Sequence, residues 1–186
     1  MTQIKYKVGS IIDTPKGKIK ILEYTPGIRL AGNKRQHPRA TIKFIKSGWV
    51  CNVQTTNIQS GHIADCRART VYGVGYLDTN IKIPARGTSI IRRIYDLWAN
   101  MLKRCYGDYK TCYSGCSVDT RWHSFKNFMN SLPLLEGYIE WEKDATMQLD
   151  KDIKVKGNKV YSQDTCKFVS LHDNVVDALE RRWGKK

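Results

Sequence analysis

Two spacings of apolar residues divide the chain into an N-terminal and a C-terminal part. Up to about residue 75, apolar and polar residues alternate, as in KIKILEY and ATIKFIKSGWVCNVQ, with the turn sequences TPKGK and TPGIRLAGN between such runs. A period of two predicts strands of a small antiparallel sheet or barrel with lysines and arginines on its exposed face. We assign Gly73 and Gly75 to close backbone packing or a turn, and residues 76–87, which contain Pro84 and Gly87, to a connector.

From residue 88 the apolar residues recur at steps of three and four, which predicts helices. The first helix begins after Ser89, a suitable N-cap, and its apolar stripe comprises Ile90, Ile94, Leu97, Trp98, Met101, Leu102 and Cys105. SVDTRWHSFKNFMNSL predicts a second, shorter helix with Trp122, Phe125 and Phe128 facing inward. His123 lies in this helix, where a lone histidine is more often structural or exposed than catalytic.

The last segment predicts a strand, a loop, a strand and a helix. MQLDKDI and TCKFVSL are the expected strands, KVKGNKVYSQD lies between them, and HDNVVDALERRWGKK predicts a helix with Asp173 as its cap. The predicted fold class is therefore α+β. We expect a basic β-rich module at 1–75, a connector at 76–87, and a unit at 88–186 that combines helices with a ββα element.

The charge of the chain indicates a polyanionic partner. Thirty-two Lys and Arg residues against 17 Asp and Glu give a net charge of +15, and residues 1–75 hold 13 basic residues against three acidic ones. A surface this basic favours nucleic acid, because phosphate contacts release condensed counterions; a solvated surface without a ligand is the alternative. The candidate nucleic-acid contacts are Lys34, Arg35, Arg39, Lys43, Arg92, Arg93 and Lys159.

Other partners and compartments are less favoured by the sequence. No apolar run approaches the roughly 20 residues that span a bilayer, and no basic amphipathic helix stands apart for binding a membrane surface. The first ten residues lack the apolar core of a signal peptide, which predicts a cytosolic protein. The six cysteines are then expected to be reduced. Some can be buried thiols, and Cys105, Cys112 and Cys116 can hold a structural Zn²⁺, although they lack the paired spacing of a zinc ribbon.

Several segments from about Val71 onward resemble the HNH-type (ββα-metal) endonucleases encoded by bacteriophages. The matching segments are VYGVGYL, YDLWANMLKRCY, YSGCSVDTRWHSFKNF, LDKDIKVKGNKVYSQDTCKFV and the closing Asn174. Upstream, VGSIIDTPKGKIKILEY and NIQSGHIADC are similar to the basic β-rich module that precedes the nuclease part in such proteins. The resemblance thus covers most of the chain, and its densest motif is Leu149–Val169.

The resemblance implies one divalent metal ion, Mg²⁺ or Mn²⁺, which stabilises charge on the scissile phosphate and the leaving oxygen. Asp150 is the implied metal-binding acid and Asn174 the implied metal ligand on the helix. Lys151 occupies the position at which the family has its general-base histidine. A lysine can act as a base only if its pKa falls by several units, and the adjacent Asp150 and Asp152 oppose that fall.

The departure at Lys151 leaves several assignments open. Lys151 can instead hold a phosphate or the attacking water, His172 can replace the missing base, and Asp152 can act as a base or as an outer ligand of the metal. The central Asn of the family motif corresponds either to Asn158 or to no residue of this chain.

We therefore expect an HNH-like endonuclease that hydrolyses double-stranded DNA in the cytoplasm of an infected bacterium. A nucleic-acid-binding protein on a degenerate nuclease scaffold is the main alternative, since Lys151 would bind phosphate directly. An inhibitor that binds an acidic host protein is the third hypothesis.

Overall fold

The structure is a computed structural model that describes residues 6–29, 31, 35–107, 113–144 and 146–183, with only the backbone for residues 181 and 182. The chain forms two compact units, residues 1–68 and residues 69–186. Residues 69–75, which the sequence pattern joined to the N-terminal module, thus belong to the second unit. The architecture is α+β, with an antiparallel sheet first and most of the helices later.

The first unit is built on a four-stranded sheet of order β1–β2–β5–β6, in which every neighbouring pair is antiparallel. Two further strands, β3 and β4, pair with each other. The strands of this unit are β1 (Ile11–Thr14), β2 (Gly17–Thr25), β3 (Ile28–Arg29), β4 (Arg35–Gln36), β5 (Arg39–Phe44) and β6 (Val50–Gln54). The alternating sequence pattern therefore predicted the sheet correctly, because one face of these strands is buried and the other is exposed.

A short helix, α1 (Thr55–Ser60), follows β6 and was not predicted. Its sequence TTNIQS has no run of apolar residues at helical spacing, so the prediction of strands throughout residues 1–75 is wrong here. Ile58 buries its side chain in the core of the unit, and Gly61 ends the helix at φ 72°, a left-handed conformation that glycine adopts without strain.

The second unit contains four helices and two small sheets in its described residues. β8 and β10 pair antiparallel, and β7 and β9 pair parallel. The elements are α2 (Ile90–Tyr106), β7 (Ser117–Val118), α3 (Phe125–Ser131), α4 (Tyr138–Lys143), β8 (Gln148–Asp150), β9 (Val160–Tyr161), β10 (Lys167–Val169) and α5 (Leu171–Trp183), with 3-10 turns at Thr120–His123 and Leu132–Leu134.

Helix α2 supplies the centre of the core of this unit, as its apolar stripe predicted. Trp98 is fully buried, donates its indole N–H to the Trp122 carbonyl at 2.7 Å and lies 5.4 Å from the Phe125 ring centroid. The predicted cap is also present, since the Ser89 hydroxyl accepts from the Arg92 backbone N–H at 3.3 Å. Helix α2 thereby positions both the later aromatic residues and the start of β7.

The predicted second helix is divided in two. Its first part is the 3-10 turn that ends at His123, and Ser124 then caps α3 by accepting from the Asn127 backbone N–H at 3.2 Å. His123 contacts the Tyr106 hydroxyl through Nε2 at 3.2 Å. Burial, and then the positive charge of Arg69, lower the pKa of His123. The position of His123 against Tyr106 therefore fits a structural role, as expected from the sequence.

Gly75 lies against α2, which confirms the prediction of close backbone packing. A Cβ atom at this position would lie 2.5 Å from Leu102 Cδ1 and 2.9 Å from Trp98 Cζ2. Two residues of the expected connector, Leu77 and Ile83, also pack against the core. The connector is thus held to the second unit by apolar contacts.

Helix α4 was not predicted, because six residues are too few for a clear helical period. Its Trp141 is buried and stacks on Phe168 of β10, with the ring centroids 5.0 Å apart. This contact holds the edge of the β8–β10 pair against the core. Among the described helices, none is both long and apolar enough to cross a bilayer.

Candidate functional site

The C-terminal segment forms the two strands, β8 and β10, and the helix, α5, that its sequence predicted, but β9 (Val160–Tyr161) lies in the stretch that was expected to be a loop. β8 pairs with β10 in the register Gln148↔Val169, Leu149↔Phe168 and Asp150↔Lys167. Leu149 and Phe168 are buried in the core, which fixes this register, since a slip by one residue would expose both. Asp150 therefore ends β8 at a defined place, and α5 follows β10 after one residue.

Ser170, and not the predicted Asp173, caps α5. The Ser170 hydroxyl accepts from the Asp173 backbone N–H at 3.0 Å and donates to Asp173 Oδ2 at 2.7 Å. The serine thus makes the N-cap half of a capping box, while the Asp173 carboxylate accepts from the serine hydroxyl and not from its backbone N–H. The cap was predicted three residues too late, because Ser170 was assigned to the preceding strand.

Asp150 is a buried acid in a local turn. Its Oδ1 accepts from the backbone N–H groups of Asp152 at 2.8 Å and Ile153 at 2.7 Å. Burial raises the pKa of Asp150; the two backbone hydrogen bonds lower it, and a side-chain hydrogen bond with Asp152, together with the charge of Asp152, raises it further. The net direction is upward, and burial is its largest cause.

Lys151 is buried on the same loop and has internal partners. Its Nζ donates to Asp152 Oδ2 at 3.1 Å and lies 5.6 Å from the centroid of the Tyr161 ring. Only 8% of Lys151 and 8% of Asp152 are exposed. The ammonium group thus lies between the Asp152 carboxylate and the face of the Tyr161 ring.

Asn158 closes the loop that contains these residues. Its side-chain N–H groups donate to the carbonyls of Lys151 and Val160, both at 2.7 Å, and its Oδ1 accepts from the Val160 backbone N–H at 3.3 Å. One amide therefore joins the start of the loop to β9. In this structure Asn158 shapes the site through the backbone.

Asn174 reaches β8 through a residue that the sequence analysis missed. Its Nδ2 donates to Gln148 Oε1 at 2.5 Å. Gln148 and Asp150 are two positions apart on β8, so their side chains leave the same face of the strand. Gln148 could have been identified in the sequence from its position two residues before Asp150 in the same predicted strand. His172 is exposed in the first turn of α5, and no described contact joins it to Asp150 or Asn174.

The oxygen donors of this region suit a hard divalent cation. Carboxylates and amide carbonyls are the ligands that Mg²⁺ and Mn²⁺ prefer, and they are supplied by Asp150, Asp152 and Asn174. Over the part of the chain that the structure describes, no group of three or more His, Cys, Asp or Glu side chains converges in a metal-binding arrangement. The oxygen donors in this region are thus the carboxylates of Asp150 and Asp152 and the side-chain carbonyl of Asn174.

Three of the predicted nucleic-acid contacts are engaged within the second unit. Arg92 forms a bidentate contact with Asp96, Arg93 donates to the carbonyls of Trp141 and Glu142 at 2.6 and 2.9 Å, and Lys159 donates to the Ser114 carbonyl at 3.3 Å. Arg93 also lies 4.6 Å from the centroid of the Trp141 ring. These contacts give the two arginines clear structural roles.

The remaining candidate contacts lie in the first unit. Arg35 is exposed on β4, and Lys43 is exposed on β5. Arg39, also on β5, donates to the Asn52 side chain and to its carbonyl. Lys34 lies outside the described residues. Arg39 and Lys43 are thus four positions apart on β5, on the same face of the strand.

The cysteines proposed for zinc are described only in part. Cys105 and Cys116 are free and partly buried, and Cys112 lies outside the described residues. Burial, and then the neighbouring Cys116, raise the pKa of Cys105 to about 11. This shift favours the thiol over the thiolate that zinc requires. Cys166 is a buried core thiol, and burial raises its pKa to about 12.

Comparison of the chain with protein-family profiles, with curated proteins and with solved structures finds no match in any of the three.

Proposed function

We propose that residues 69–186 form a metal-dependent DNA endonuclease of the bacteriophage HNH type. The observation that carries the proposal is the link between β8 and α5: Asp150 ends the strand, and Asn174 in the first turn of the helix hydrogen-bonds to Gln148 on the same strand. An acid from the strand and an amide from the helix are the two ligands that this type of site requires.

Asp150 and Asn174 would hold one Mg²⁺ or Mn²⁺, with Asp152 beside them. When bound, the ion would supply electrostatic stabilisation of the charge that develops on the phosphate and the leaving oxygen. The chain contributes the fixed positions of these groups. The backbone N–H groups of Asp152 and Ile153 orient the Asp150 carboxylate, and Gln148 orients the Asn174 amide.

Lys151 serves the site as a positioning residue and not as the general base. Its Nζ donates to Asp152 Oδ2 at 3.1 Å, so this nitrogen is already engaged in an ion pair within the loop. His172 is then the candidate base, because it is a histidine exposed in the first turn of α5, two positions before the helix-borne ligand Asn174.

The test is nicking of a supercoiled plasmid in Mg²⁺ or Mn²⁺, with EDTA as the metal-free control. The wild-type protein is expected to nick, and Asp150→Asn, purified in the same way, is expected to lose that activity. Asp164→Asn is the matched control, since Asp164 is an exposed acid in the same unit. Equal nicking by wild type and Asp150→Asn would reject the proposed site.

A nucleic-acid-binding protein without cleavage is the second candidate function. It is favoured because Lys151, at the position of the family's general base, is buried in an ion pair with Asp152 and so does not supply that base. The same burial keeps Lys151 from contacting phosphate directly, so the binding would rest on other basic residues. Absence of nicking with either metal, together with salt-dependent binding of DNA, would support this candidate over the nuclease.

A further inference from the structure

The exposed face of the four-stranded sheet has two lysines directly opposite each other. The ladder pairs Ile11 with Lys20, Lys20 with Lys43, and Lys43 with Val50, so one row crosses all four strands. All four of these side chains are exposed, while the residues that alternate with the two lysines, such as Ile19, are buried. We call these four residues the lysine row.

Like charges directly opposite on a sheet destabilise it, and the lysine row itself contains no acid to offset them. The sequence of the first unit contains 12 Lys and Arg residues but only three acids. Each of these acids has another partner: Asp13 pairs with Lys18 at 3.6 Å, Glu23 accepts from the Thr41 hydroxyl at 3.1 Å, and Asp65 accepts from the Ser47 hydroxyl at 2.8 Å. Among the described residues, no hydrogen bond or ion pair involves the ammonium group of Lys20 or Lys43.

We propose that the lysine row binds the phosphodiester backbone of a nucleic acid. Neighbouring strands lie about 4.8 Å apart, so the two lysine side chains leave the sheet side by side and place two positive charges on one rigid surface. Arg39 lies on the same face of β5 and is oriented by Asn52. An array of phosphates supplies the negative charge that the unit lacks.

The arrangement of apolar residues favours nucleic acid over an anionic membrane. Binding to a bilayer surface combines electrostatic attraction to anionic lipids with burial of apolar side chains at the boundary of the acyl region. In the lysine row the two apolar side chains, Ile11 and Val50, lie at opposite ends with both lysines between them. Ammonium groups therefore occupy the centre of the surface, where an inserting protein would place apolar atoms.

Both the lysine row and the proposed nuclease site would bind nucleic acid, but only the nuclease needs a metal ion. The experiment is therefore done in EDTA, which removes the metal and tests binding by the lysine row separately from cleavage. Binding of a fluorescent DNA duplex by the full chain is measured over a range of salt concentrations for wild type and for Lys20→Gln/Lys43→Gln. The control is Lys16→Gln/Lys46→Gln, which removes the same charge from exposed residues in the turns of the same unit. Circular dichroism verifies that each variant is folded.

The lysine-row variant is expected to reduce the slope of log K against log salt by about 1.8, which corresponds to a loss of affinity on the order of 30-fold at about 0.15 M salt. The control is expected to keep most of the wild-type slope. An unchanged slope in the lysine-row variant, or an equal fall in the control, would overturn the proposal. So would loss of binding to phosphatidylserine vesicles with DNA binding unchanged.

Discussion

Asn174 in helix α5 donates its side-chain N–H to Gln148 in strand β8 at 2.5 Å. This hydrogen bond joins residues 26 positions apart in sequence and links the helix to the strand that ends in Asp150. The orientation of the Asn174 amide leaves its carbonyl oxygen as the atom suited to a metal ion. Gln148 therefore acts on the proposed site without being a metal ligand.

Gln148→Ala is expected to weaken Mn²⁺ binding about 10-fold, because residues that orient metal ligands typically contribute 10- to 100-fold to affinity. Gln148→Glu keeps an acceptor for the Asn174 N–H and is expected to bind Mn²⁺ better than the alanine variant. Titration calorimetry measures both affinities. If Gln148→Ala binds Mn²⁺ as tightly as wild type, Gln148 does not position a ligand.

Lys151→Ala is expected to destabilise the protein by about 3 kcal/mol, because it leaves the Asp152 carboxylate buried without its cation. Lys151→Met combined with Asp152→Leu removes both charges and relieves the repulsion on Asp150, so the double variant should be the more stable of the two. Urea unfolding compares them. A Lys151→Ala variant as stable as wild type would show that the ion pair contributes little.

Long periodic segments allowed much of the fold to be predicted from the sequence. The alternation in β2 and β5 and the apolar stripe of α2 each extend over enough residues to define one buried face. Helices α1 and α4 have six residues each and were missed, because their conformation depends on tertiary contacts such as the stacking of Trp141 on Phe168.

For the candidate site, the sequence predicted which residues follow one another along the chain but not the contacts between them. Asp150 and Asn174 could be proposed as metal ligands from the resemblance, but the partners that orient them could not be predicted. The enclosure of Lys151 depends on Tyr161, whose place is fixed by the parallel pairing of β9 with β7 at Val118. Such a contact joins distant segments and has no periodic signal in the sequence.

Gly75→Ala is expected to destabilise the protein by about 1–3 kcal/mol, the usual range for overpacking a core. The new methyl group would collide with Leu102 and Trp98, which are fully buried and cannot move aside. Thermal unfolding with circular dichroism measures the loss. Gly75→Ala/Leu102→Ala should show coupling, with the double variant less destabilised than the sum of the single variants.

His123 is expected to make stability fall as the solution is acidified below about pH 6.5. Burial and the charge of Arg69 lower the pKa of His123 in the folded protein. Above its ordinary pKa of about 6.5 the residue is neutral in both states. Below that value the unfolded chain binds a proton that the folded chain binds only at lower pH, so stability decreases until the pH reaches the pKa of the folded state.

His123→Gln removes this titration, so its unfolding free energy should decrease less than that of wild type between pH 7.5 and pH 5. The comparison concerns the change with pH, because loss of the contact with Tyr106 can lower the stability of the variant at every pH. Urea unfolding at a series of pH values measures it. Parallel stability curves for the two proteins would show that His123 is protonated as readily in the folded protein as in the unfolded chain.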